Sequence, residues 1–327
     1  MPSLPHIDAR AATAVGTALM PPGPALDAPA AEALVAGLRA AAEASVTPVA
    51  EVTGLDVPQV GGPMRIVDRP TWLGANVDMA LTMLDEAGGG LPETDGVLDH
   101  AAARANGAQL GGALAVLGTR ILGQWLPFLA EPQLVVVAPN VAKIEAVIDV
   151  DPVDFRLWIC LHEQTHRLQF SRAPWLRSHL IGEMGALVAE GLPGHREGRR
   201  PAASVVEAVL TPEQRVVFAR VGAAMSLLEG YADDMMDRVG PAVVPSVAHI
   251  RRVFEARRNR GGWPRLLNKL LGMDLKLAQY REGARFCRAV IGRVGVDGLN
   301  VVYDAPAYLP TPEEMADPQR WVARVHG

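Results

Sequence analysis

Apolar residues recur at helical spacing along most of this chain, and only one short run has the β-branched character of a strand. Leu34, Val35 and Leu38 form a stripe over 28–44, with Asp27 placed as its N-cap. A second helix is expected from Thr71, its cap, through Trp72, Leu73, Val77, Leu81 and Leu84. Residues 98–126 read as one long helix. Gly107, Gly111, Gly112, Ala115 and Gly118 at its centre predict close approach by another helix. The strand is 134–138, closed by Pro139 and Asn140, and 141–150 forms either a second short strand or a helical turn. Further helices are expected from Asp151 onward, over 174–190, over 211–239 and over 266–294. Thr211, Pro212 and Gln214 have capping-box spacing with proline at the first position, and Gly240-Pro241 ends that helix. The stretches 48–63, 88–96 and 191–201 read as loops, and the chain from Pro306 as an extended wrap. The pattern gives a mainly α fold with a short β element (α+β). It is organised as a partly ordered arm over 1–27 and a single domain over 28–327.

Composition narrows the function. At 49% hydrophobic and 20% charged residues the 327-residue chain builds a sizeable core. A net charge of -5 leaves no basic footprint for nucleic acid. The three consecutive glycines at 88–90 lack a lysine at phosphate-loop spacing. No basic segment followed by an apolar one opens the chain, and the longest apolar run, 110–119, is too short for a transmembrane segment. Two cysteines, Cys160 and Cys287, make no disulfide framework. The expectation is a reduced, cytoplasmic protein.

The chemistry lies in the helix that starts at Asp151. Asp151 serves as N-cap, Pro152 takes the first helical position, and Asp154 adds a carboxylate in the first turn. Residues 157–161 are apolar on every side, so this helix is buried. It runs into His162-Glu163-Gln-Thr-His166, the His-Glu-x-x-His spacing of zinc hydrolases. Residues four apart share a face, so both imidazoles can meet one metal ion. Glu163 lies about 100° round the helix, within reach of a water held there. The bland alternative is two satisfied core histidines beside an ion-paired Glu163.

Zinc needs a third protein ligand. Gln169 and Arg172 stand where the metzincin pattern requires glycine and histidine, which excludes that class. Downstream candidates are His179, Glu183, Glu190, His195, Glu229, Asp233 and His249. Glu229 is preferred. It borders the apolar stripe of Phe218, Val221, Met225, Leu228, Ala232 and Met236, where a carboxylate is costly unless paired or bound to a cation. Asp233, one turn on, is expected to orient His162 or His166. Glu183 is the runner-up. Tyr280, His249 and Tyr231 are candidate oxyanion donors, with Tyr231 ranked last.

The Glu-x-x-x-Asp spacing on a second helix is similar to that of gluzincin (thermolysin-like) metallopeptidases. The chain as a whole resembles a family of zinc-dependent metalloproteases found mainly in actinobacteria, some of whose members are labelled as associated with biosynthesis of a deazaflavin coenzyme. The matching stretches are 67–76 (Val-Asp-Arg-Pro-Thr-Trp-Leu-Gly-Ala-Asn), 121–125, 134–140, 151–170, 229–233 and 279–283. His162, Glu163 and His166 match residue by residue. The resemblance implies a zincin-like fold and a zinc hydrolase. A metallopeptidase acting on a peptide or other amide substrate is the leading function, against a silent zinc-bound scaffold or a non-peptide amidohydrolase.

Overall fold

The computed structural model describes residues 6–57, 64–88, 96–189, 211–259 and 273–327. It is mostly helical with a small β element, as the pattern predicts, and that element is a three-stranded sheet. The first helix, α1 (Ala9–Leu19), lies in the segment expected as an arm and begins where Asp8 accepts a hydrogen bond from the Ala11 amide. Then come α2 (Ala28–Ala44), capped by Asp27 as expected, and α3 (Val46–Thr53). The sequence reading had a loop at α3. Pro48 falls in its first turn, where the missing amide proton has no helical partner to lose. Gly54 ends α3 with φ 65°, a left-handed conformation that glycine adopts without strain.

Strand β1 (Arg65–Val67) leads into α4 (Arg69–Gly88). Asp68 rather than Thr71 caps α4, accepting from the Thr71 amide at 2.8 Å. Helix α5 (Val97–Gly118) is shorter than predicted, because the chain turns and Gly123–Leu126 becomes strand β2. Strand β3 (Gln133–Val137) runs directly into α6 (Ala138–Glu145), so 141–145 is helix and 146–150 a turn rather than a second strand. Then follow α7 (Pro152–Arg172), α8 (Trp175–Ala189), α9 (Pro212–Val239), α10 (Val247–Asn259) and α11 (Met273–Asn300). The capping box of Thr211 and Gln214 is formed at the start of α9. The tail is not an extended wrap. Two 3-10 turns precede α12 (Pro312–Ala316) and α13 (Pro318–His326), each opened by a capping residue followed by proline. The loops predicted at 88–96 and 191–201 fall almost wholly outside the described residues.

The strand order is β1-β3-β2, with β1 parallel and β2 antiparallel to β3. The edge strand β2 is pinned from two sides. Gln124 accepts from Trp72 Nε1 at 2.7 Å and exchanges hydrogen bonds with Asn76 on α4. Asn140 on α6 donates to the carbonyls of Gly118 and Ile121 just ahead of the strand. The main core gathers Phe155, Leu161, Leu168, Tyr231, Phe286 and Trp321. A smaller one lies where α1 and α4 meet the sheet, around Trp72 and Leu73. Fully burying such side chains is worth about 1.5–3 kcal/mol each. Among the described residues no helix is long and apolar enough to cross a membrane.

Candidate metal centre

Helix α7 is fixed at its start. Asp151 Oδ1 accepts from the Val153 and Asp154 amides, and Asp154 in turn accepts from the Ser246 amide ahead of α10. Further along, α7 crosses α9, and three side chains converge between them. His162 Nε2 and His166 Nε2 are 3.2 Å apart, and Glu229 Oε2 is 3.4 and 3.5 Å from them. In a tetrahedral zinc site with ligand bonds of about 2.0–2.1 Å, ligand atoms stand about 3.3–3.4 Å apart. The triangle has that size. Glu229 Oε2 is buried and has no hydrogen-bond partner, an arrangement that is costly in a native core unless a cation completes it. These three residues are the one group among the described residues that could hold a metal ion.

The ring of His166 is oriented by Gln169. Gln169 Nε2 donates to the Leu228 carbonyl at 3.0 Å and to the Tyr303 hydroxyl at 2.9 Å. The carbonyl can only accept, which fixes the amide and turns Gln169 Oε1 toward His166 Nδ1, 2.8 Å away. The proton of neutral His166 is therefore on Nδ1, and the Nε2 lone pair points at the triangle. His162 Nδ1 rests 3.2 Å from Met236 Sδ.

Charge in the cluster is coupled. Burial opposes the imidazolium of His166, but Glu229, together with Glu163 and the Gln169 hydrogen bond, pushes the group up to about 9 without a metal. Burial likewise opposes the Glu229 carboxylate, yet the two imidazoles hold it well below the usual range. Glu163 is 7% exposed, and burial pushes its carboxyl up against the pull of both histidines and the Trp125 amide. A raised carboxyl suits proton transfer near neutral pH. Its neighbour is the backbone of β2. A Cβ at Gly123 would stand 2.5 Å from Glu163 Cγ and 3.0 Å from Oε1, so only glycine permits the approach.

The other candidates stand apart. Asp233 is a correction: its carboxylate faces Arg251 of α10, whose guanidinium also donates to the Asp233 carbonyl, while Gln169 and Met236 occupy the histidine Nδ1 positions. Glu183 is bound by Arg220, and His179 packs edge-on against Trp175. His249 engages the Asp149 carbonyl. The Tyr231 hydroxyl donates to Asn300. Glu190, His195 and the side chain of Tyr280 lie outside the described residues. Sequence reasoning missed Gln169, Tyr303 and Gly123. Of these only Gln169 left a signal, being three residues beyond His166 on the same helix face.

The site can hold a divalent ion with a buried carboxylate beside it. A family model described as zincin-like metallopeptidase matches residues 7–322. The chain is similar to a solved structure from Chloroflexus aurantiacus described as "a putative hydrolase with a novel fold", with 29% identity and a TM-score of 0.71 over 97% of this chain and 98% of that one. No curated protein matches.

Proposed function

The chain belongs to the zincin-like metallopeptidase family, and on that premise we propose that it is a zinc-dependent amide hydrolase, a peptidase of gluzincin type. His162, His166 and Glu229 are the ligands and Glu163 is the general base. The observation that carries this reading is the orphaned Glu229 oxygen, set with two imidazole nitrogens in a triangle of zinc size. Zinc, when bound, supplies a Lewis acid that lowers the pKa of water and polarises a carbonyl.

Glu163 removes the proton from a water as that water attacks the amide carbon, then returns it to the departing nitrogen. The Trp125 amide and the close backbone at Gly123 hold the Glu163 carboxylate in one orientation. Gln169 keeps the His166 proton on Nδ1. Strand β2 is an edge strand running beside Glu163, which favours an extended peptide that pairs with it.

Zinc content and hydrolysis of a broad peptide library, compared between wild type and Glu163→Gln, test the proposal. The expected result is one zinc per chain in both and cleavage by wild type alone. Equal activity in the two proteins, or no zinc in either, overturns it.

A further inference from the structure

Strands β1 and β3 are parallel, so both run out at the same end of the sheet. Each passes at once into a helix, α4 at Arg69 and α6 at Ala138. Between these helix starts, the end of α1, the linker that follows it and the first turns of α2 lies a cavity of about 470 Å³. The carboxyl ends of parallel strands, with helix N-termini directed at them, are where open α/β sheets take up ligands. The volume is that of a small-molecule site, and the walls are mainly apolar, with Met20, Pro22, Leu34, Val35 and Pro139 among them. Leu26, 45% exposed, also lines the cavity.

One buried charge lines this cavity. Arg69 is 3% exposed. Its Nε donates to Asn140 Oδ1 at 2.7 Å, and Nη1 donates to the Pro21 and Pro22 carbonyls at 2.8 Å. Among the described residues Nη2 has no hydrogen-bond partner and the guanidinium has no carboxylate partner. Burial alone pulls its pKa down, with no acidic neighbour to oppose it. A buried guanidinium without a counter-charge is an unstable arrangement unless an anion joins it. Asp68 is exposed, and one of its oxygens already caps α4. Helix α6 begins without any side-chain cap, whereas α2 is capped by Asp27. Pro139, the second residue of α6, has no amide proton, so an anion at this wall is met by the Arg69 guanidinium.

We propose that this cavity binds a small carboxylate with an apolar body. The carboxylate meets Arg69 Nη2, and the hydrocarbon lies among the proline, leucine and valine side chains. This site is separate from the zinc ligands and does not depend on the hydrolase reading.

The test is calorimetric titration of the zinc-loaded full chain with octanoate and with octanol. Octanoate is expected to bind at least tenfold more tightly. Arg69→Gln should reduce octanoate to the level of octanol. Val35→Phe, which fills the cavity without touching the charge, should weaken octanoate at least tenfold with zinc content unchanged. Equal binding of octanoate and octanol by wild type, or no binding of octanoate, overturns the proposal. So does octanoate binding that Val35→Phe leaves intact, which would place the carboxylate elsewhere, at the zinc for example. Should Arg69→Gln fail to fold, Val35→Phe decides the matter.

Discussion

Two helix pairs in this molecule are buried for opposite reasons. Where α1 crosses α5, side chains are missing: a Cβ at Gly111 would run into the Ala12 carbonyl, and one at Gly107 into that of Asp8. The contact is backbone against backbone, and the Asp8 amide donates to the Ala103 carbonyl. Where α7 crosses α9, polar side chains fill the interior. His162, His166 and Glu229 meet there, and the fully buried Gln169 of α7 donates to the Leu228 carbonyl of α9. The first pair gains stability from close packing and offers no chemistry. The second holds charge where charge is costly, which a bound cation would offset.

The contrast is sharpest at Glu229. Glu229→Ala is expected to lose zinc almost completely under conditions where Glu183→Ala retains it, as read by metal analysis after dialysis. The reverse order would move the third ligand to α8. Glu163→Gln should keep zinc and lower kcat by about 10²–10⁴-fold, the usual contribution of a general base. Acidity follows in size. The metal-free His166 titrates near 9, above the unfolded value of 6.5, so its ion pair with Glu229 stabilises the stripped protein below about 6.5 and is lost as pH rises through about 9. Zinc needs the neutral ring, so its affinity should climb by about tenfold per pH unit between 7 and 9. The gap in Tm between loaded and stripped protein should widen over the same range, and a flat gap would sink the assignment.

Gln169→Ala should weaken zinc by about 10–100-fold, as loss of a ligand-orienting partner does. An unchanged Kd would mean that Met236 and packing alone hold the rings. The smallest effect is expected in the other helix pair. Gly111→Val should cost about 1–3 kcal/mol of stability, measured by denaturant unfolding, with zinc content of the folded protein untouched.

Legibility in the sequence follows the same division. The start of α7 was readable because Asp151 and Pro152 act locally, and that of α9 because Thr211 and Gln214 do. The two histidines and Glu163 were readable because helix geometry alone puts them together. Helix α1 was not readable. It is held by the glycine face of α5, far away in sequence, and its short run of alanines and glycine lacks the large apolar residues that mark the other helices, although Asp8 caps it locally. Strand β2 was hidden because Gly123, Gln124 and Trp125 are held by Asn76, Trp72 and the sheet rather than by propensity. Asp233 was misread because spacing along α9 cannot reveal that α10 brings Arg251 to it.

The hydrogen bond from Gln169 to Tyr303 ties the His166 ring to a residue made late in synthesis. A ribosome will have delivered both histidines and Glu229 well before Tyr303 emerges. The nascent protein thus has the proposed ligands and the Leu228 carbonyl that fixes the Gln169 amide before it has that amide's second anchor, and the brace on His166 is complete only once Tyr303 has folded against α7.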